Sequence, residues 1–186
     1  MAGLLDTCAP KPLGIRDAAI ISLLYGCGLR RAELVALELG DYNKEENELV
    51  VRGKGNKQRA VPVGNAAPVV EDWLGIRGYE PGPLFWGLGN RNRRGRLTDQ
   101  AVYNMLRRRA KLGGVEKLSP HDFRRTFVGD LLDAGADIVT VQKMAGYADP
   151  ATTSRYDRRD SRARRKAASL LHVPYTRRLL EAEEDG

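Results

Sequence analysis

Cysteine is scarce in this chain: two in 186 residues, Cys8 and Cys27. One lies in a short lead-in and the other in an apolar segment, a placement that suits neither a disulfide framework nor a metal site. No Cys/His or carboxylate cluster offers metal ligands elsewhere, so no metal and no cofactor is expected. No apolar run reaches membrane-spanning length, and the N-terminus has no signal-peptide pattern. Internal repeats are absent. These absences argue against a secreted, disulfide-stapled or membrane-spanning protein and fit a reducing, cytoplasmic setting.

What is present suits one folded domain. Apolar residues make up 42% of the chain, and 186 residues are enough to bury a core. The formal net charge is +7, with a pI near 9.6. Such an excess of cations favours an anionic partner, most simply nucleic acid.

Along the chain, residues 1–12 read as a Pro-bearing lead-in. Residues 17–26 are almost wholly apolar and predict a buried helix that Gly26 and Gly28 interrupt. A second helical pattern runs over 30–39. Residues 48–52 and 59–63 read as two strands of a β-ribbon whose tip is glycine-rich and basic. A helix is expected over 66–77, then a loop to residue 83 and a polar, basic loop over 90–96. Thr98 caps a helix extending to about Leu112. Ser119, Pro120 and Asp122 form a capping-box-like start for the next helix, with Phe123, Phe127 and Leu131 as its core stripe. Gly135 ends it. Asp137 starts a shorter helix to Ala145. Asp149 and Pro150 fit an N-cap and first helical position, and 161–171 read as a last basic helix. An acidic tail follows.

Several residues invite both a chemical and a packing reading. Tyr147 and Tyr156 lie nine residues apart with arginines around them. Each is either packed at a helix end or set to meet a phosphate. His121 and Arg124, three apart, share one face of a helix's first turn, where the free N–H groups favour an anion. The plainer alternative pairs Arg124 with Asp122 or Asp130. Arg30 with Glu33 one turn on is either a surface ion pair or a braced guanidinium. Lys54 is either solvated or reaching outward from the ribbon tip.

Taken in order, Gly28-Leu29-Arg30-Arg31-Ala32-Glu33-Leu34, Gly53-Lys54-Gly55-Asn56-Lys57-Gln58-Arg59, His121-Asp122-Phe123-Arg124-Arg125 and a Tyr about thirty residues later resemble the tyrosine recombinases, the phage-type and Xer-like integrases. The resemblance covers roughly residues 13–173. It implies an α+β fold, mostly helical with a small antiparallel β-sheet: lead-in 1–12, catalytic domain 13–173 and tail 174–186. It also implies a site-specific recombinase that cuts and rejoins double-stranded DNA through a 3′-phosphotyrosine, using DNA and a tetrameric synapse as partners and working at the nucleoid. Two other outcomes are a topoisomerase-like nicking-closing enzyme and a DNA-binding module with impaired catalysis.

By the same resemblance, Arg30 and Arg124 grip the scissile phosphate, Lys54 is the acid for the leaving oxygen, and His121 assists the attack. Tyr156 is the nucleophile and Glu33 braces Arg30. A further position, usually His and sometimes Trp, is Tyr147 here. A phenol O–H can also donate to a phosphoryl oxygen, so Tyr147 is expected to keep that role. Arg31, Lys57, Arg59, Arg93, Arg94, Arg107 and Arg108 are candidates for DNA-phosphate contact. Leu170, Leu171, Val173 and Tyr175 are expected to dock on a neighbouring protomer or pack in cis. Family members carry a preceding helical domain, so the chain is expected to be a piece of a longer protein or a short member that binds DNA weakly alone.

Overall fold

The computed structural model describes residues 1–53, 57–88, 95–115 and 118–147. Among these residues are seven α-helices and one three-stranded sheet: α1 (Ala2–Leu5), α2 (Pro12–Gly26), α3 (Arg31–Ala36), α4 (Ala67–Arg77), α5 (Asp99–Leu112), α6 (Pro120–Asp133) and α7 (Ile138–Ala145). The strands are β1 (Tyr42–Asn43), β2 (Glu48–Arg52) and β3 (Gln58–Pro62), antiparallel in the order β1-β2-β3. The expected mostly helical α+β architecture is therefore what the chain adopts.

Helix α2 is the central element. Ala19, Ile20, Ile21, Leu23 and Leu24 are fully buried, which is why its sequence lacks a polar stripe. It begins five residues before the apolar run, at Pro12, a residue suited to the first helical turn. Residues 1–12 are also more than a connector. Leu4 joins the main core, and the Thr7 carbonyl accepts from Arg109 of α5.

Helix α3 is shorter than the expected 30–39. Leu37 turns extended at ψ 132°, and its carbonyl accepts from Leu84 N at 2.8 Å while Leu39 N donates to Gly82 at 2.9 Å. This pairing with the strap at 82–84 outcompetes further helical turns. Arg77, buried at the end of α4, holds that strap by donating to the carbonyls of Gly78, Glu80, Gly82 and Pro83.

The ribbon has the register Leu49↔Val61 and Val51↔Arg59. Residues directly opposite in an antiparallel pair share a face, so Arg59 lies on the inner face with Leu49, Val51 and Val61. A pairing as short as the two-residue β1 carries no alternation that a sequence pattern could display.

Helix α6 starts as expected: Asp122 accepts from the Ser119 N–H at 2.7 Å. Phe123 and Phe127 are buried, and Leu131 packs partly buried beside Val128, Leu132 and Val141. Helix α7 is capped by Asp137, which accepts from Thr140 N at 2.8 Å. It ends at Gly146 in the left-handed region, φ 62°. The expected Asp149 cap and 161–171 helix lie outside the described residues.

Candidate functional site

The turn between α2 and α3 sets the position of the first arginine. Gly28 has φ 58°, and a Cβ there would lie 2.4 Å from the Phe127 ring. Only glycine meets both demands. The chain then turns into α3 with Arg30 at its N-cap. Glu33, one turn on, accepts from Arg30 N at 2.8 Å and from Arg30 Nη1 at 2.8 Å. It also takes both ends of the Arg59 fork, Nη1 at 3.0 Å and Nη2 at 2.9 Å.

Burial alone would push the Glu33 carboxyl up. The donors on Arg59 and Arg30 outweigh it and hold the carboxyl below its ordinary value. Glu33 is thus an ionised brace for two guanidiniums. Arg30 keeps 47% of its side-chain surface exposed, so the same guanidinium still faces solvent.

Arg124 comes from α6 and is 2% exposed. Neither Asp122 nor Asp130 takes it. Asp130 accepts from Tyr25 Oη at 2.7 Å, and Asp122 caps its own helix. Arg124 instead donates to the Gly28 carbonyl at 2.6 Å and to the Ala145 carbonyl. Burial lowers its pKa from the ordinary arginine value, and the adjacent Tyr147 opposes that shift. The Tyr147 ring lies 4.3 Å from the guanidinium carbon, a cation–π distance. The two carbonyls are neutral, so hydrogen bonding orients the charge without cancelling it.

Leu29, Arg30, Ser119, His121 and Arg124 line one cleft. His121 is exposed at the start of α6. An adjoining cleft is lined by Arg30, Glu33, Arg52, Lys57, Arg59, Lys143, Gly146 and Tyr147. Arg30 borders both. The expected residues Arg30, Glu33, His121, Arg124 and Tyr147 therefore converge. Lys54, Tyr156, Arg93 and Arg94 lie outside the described residues.

The remaining cations divide. Lys57 is exposed on the second cleft. Arg31 borders the first but is bound to Asp99 at 3.1 Å and lies 5.2 Å over the Tyr103 ring. Arg59 points inward to Glu33, with its side chain 15% exposed, which does not suit the DNA-phosphate contact expected of it. Arg107 and Arg108 line a separate hollow beside α5, and Arg108 pairs with the buried Asp17 at 3.2 Å. Lys143 was not anticipated. It stands in the last turn of α7 and lines the second cleft.

A model of the phage integrase family matches residues 1–162. The chain belongs to the phage integrase family. Among curated relatives in this family, tyrosine recombinase XerC of Alcanivorax borkumensis is 40% identical over 161 residues, covering 83% of this chain and 51% of that protein. XerC of Corynebacterium glutamicum is 39% identical over 146 residues, covering 76% and 46%. The chain thus spans about half the length of the curated relatives it matches. Among solved structures, XerA recombinase superposes with a TM-score of 0.73 at 28% identity, covering 94% of this chain and 63% of that one. XerH site-specific recombinase in a post-cleavage complex with its palindromic difH substrate gives 0.70 at 24% identity, covering 91% and 50%, a likeness of fold.

Proposed function

We propose that this chain is the catalytic part of a site-specific DNA recombinase that cuts and rejoins double-stranded DNA through a 3′-phosphotyrosine. The observation that carries this reading is the convergence of Arg30 and Arg124 on one cleft with His121. Two oriented guanidiniums suit the non-bridging oxygens of a phosphodiester and the charge that grows on them during attack.

The Tyr156 oxygen attacks phosphorus and the 5′-oxygen leaves, taking a proton from Lys54. One phosphoester bond is exchanged for another, so the reverse attack by a 5′-hydroxyl reseals the strand with no nucleotide cofactor. His121 takes the phenol proton on the attacking side. The neighbouring guanidiniums favour the phenolate over the phenol, whose ordinary pKa is about 10. Lys57 and Lys143 extend the cationic surface for the flanking phosphates. The setting is the cytoplasm, on nucleoid DNA, and four copies form the synapse on two duplexes.

The name tyrosine recombinase carried by the XerC relatives supports this reading. The test is to select a binding site from random duplexes, place a nick beside the scissile position so that the leaving fragment is lost, and look for a protein–DNA adduct stable to detergent. An adduct is expected. Tight specific binding with no adduct would favour a binding module instead.

A further inference from the structure

Among the described residues of the ribbon, Arg59 is the candidate phosphate contact that the fold turns inward. Its fork closes on both oxygens of Glu33, at 3.0 and 2.9 Å. Its Nε donates to the Met144 carbonyl at 3.1 Å. One planar group therefore joins three elements: α3 through Glu33, β3 through its own backbone, and the last turn of α7 through Met144. Each of these carries a part of the site. Glu33 also holds Arg30. The strand β3 continues from the ribbon tip. Met144 lies three residues before Tyr147, and Ala145 between them supplies a carbonyl to Arg124.

The chain makes room for this link at Gly146. A Cβ there would lie 3.0 Å from the Arg59 guanidinium carbon, at a backbone φ of 62°. Glycine thus permits α7 to close onto Arg59 as well as ending the helix.

We propose that Arg59 is a positioning residue: it sets the spacing between Arg30 on α3 and Tyr147 after α7 by bridging Glu33 to the Met144 carbonyl, and does not contact DNA. The inference rests on the recombinase reading for its rate effect, though not for its geometry. A lysine cannot replace the fork, because one ammonium has no planar pair of donors for the carboxylate plus a third for the carbonyl. The bridge is inside the fold, so its removal takes no outward-facing cation away from the surface.

The experiment uses the full chain with Arg59→Gln, Arg59→Lys, Gly146→Ala and the Arg59→Gln/Gly146→Ala double variant. Affinity for a 30-bp duplex is read by fluorescence anisotropy across a salt series, and cleavage by adduct formation on the nicked substrate. A phosphate contact contributes about 0.9 to the salt slope. The expected result is an unchanged slope for Arg59→Gln with a tenfold or greater loss of cleavage rate at saturating DNA. Arg59→Lys recovers less than half of that rate, and the double variant is no slower than the slower single one. A slope reduced by about one unit for Arg59→Gln would make it a DNA contact and overturn the proposal. So would a smaller loss of cleavage, or multiplicative losses in the double variant. If the unsubstituted chain forms no adduct, the recombinase reading fails, and the salt slope alone still decides whether Arg59 meets DNA.

Discussion

Arg124 Nη1 donates to the Gly28 carbonyl at 2.6 Å, while Phe127, one turn further along α6, presses on the same glycine. One helical face thus locks the turn that delivers Arg30. Replacing Gly28 by Ala would force a side chain into the left-handed region and into the Phe127 ring. Destabilisation of about 2–4 kcal/mol is expected from the combined backbone and overpacking costs, read as a lowered urea midpoint with an unchanged slope.

Glu33→Gln separates charge from shape at the brace. At pH 7 the variant should lose about 1.5–3 kcal/mol, the range for hydrogen bonds to charged groups. Because the folded carboxyl is held below its unfolded value, this advantage of the natural residue is fully present above about pH 4.3. It is lost as pH falls through the lower folded value. Urea melts at intervals from pH 7 to 3 should show the two proteins converging at the acid end.

A second carboxylate, remote from the clefts, joins the lead-in to the core. Asp17 is fully buried and meets Arg16 and Arg109 at 2.7 Å each and Arg108 at 3.2 Å. Asp17→Asn would leave two buried guanidiniums uncompensated, at a cost of about 3–5 kcal/mol. A thermal melt checks this.

Much of this was legible in residue order. The capping residues Thr98, Ser119 and Asp137 announce their helices because a side-chain oxygen near free N–H groups is a local signal. The Arg30–Glu33 and His121–Arg124 spacings fix shared faces by helix geometry alone. The direction of Arg59 was readable too: it alternates with Val61, so it belongs to the inner face. Its positive charge in a basic segment argued for the opposite side. The truncation of α3 and the pairing of Leu37 with Leu84 were not readable, since they depend on a strap more than forty residues away. Nor was the choice of carbonyls over Asp122 or Asp130 as partners for Arg124. That depends on how α6 meets the Gly28 turn and α7, which no local pattern encodes.

Tyr147 stands beside Arg124, and the resemblance to tyrosine recombinases leads one to expect an imidazole at this position. Tyr147→Phe keeps the ring over the guanidinium and removes the hydroxyl. If that hydroxyl donates to a phosphoryl oxygen, adduct formation should slow tenfold or more with little change in the thermal midpoint. Tyr147→His should be at least as fast as the natural chain. Equal rates for Tyr and Phe would show that the ring alone matters.

The roles of the two tyrosines are the centre of the account. The adduct trapped on the nicked substrate is digested with trypsin and nuclease, and mass spectrometry locates the tyrosine that retains the nucleotide. The expected location is Tyr156, and Tyr156→Phe should give no adduct. A nucleotide on Tyr147, or an adduct formed by Tyr156→Phe, would contradict it.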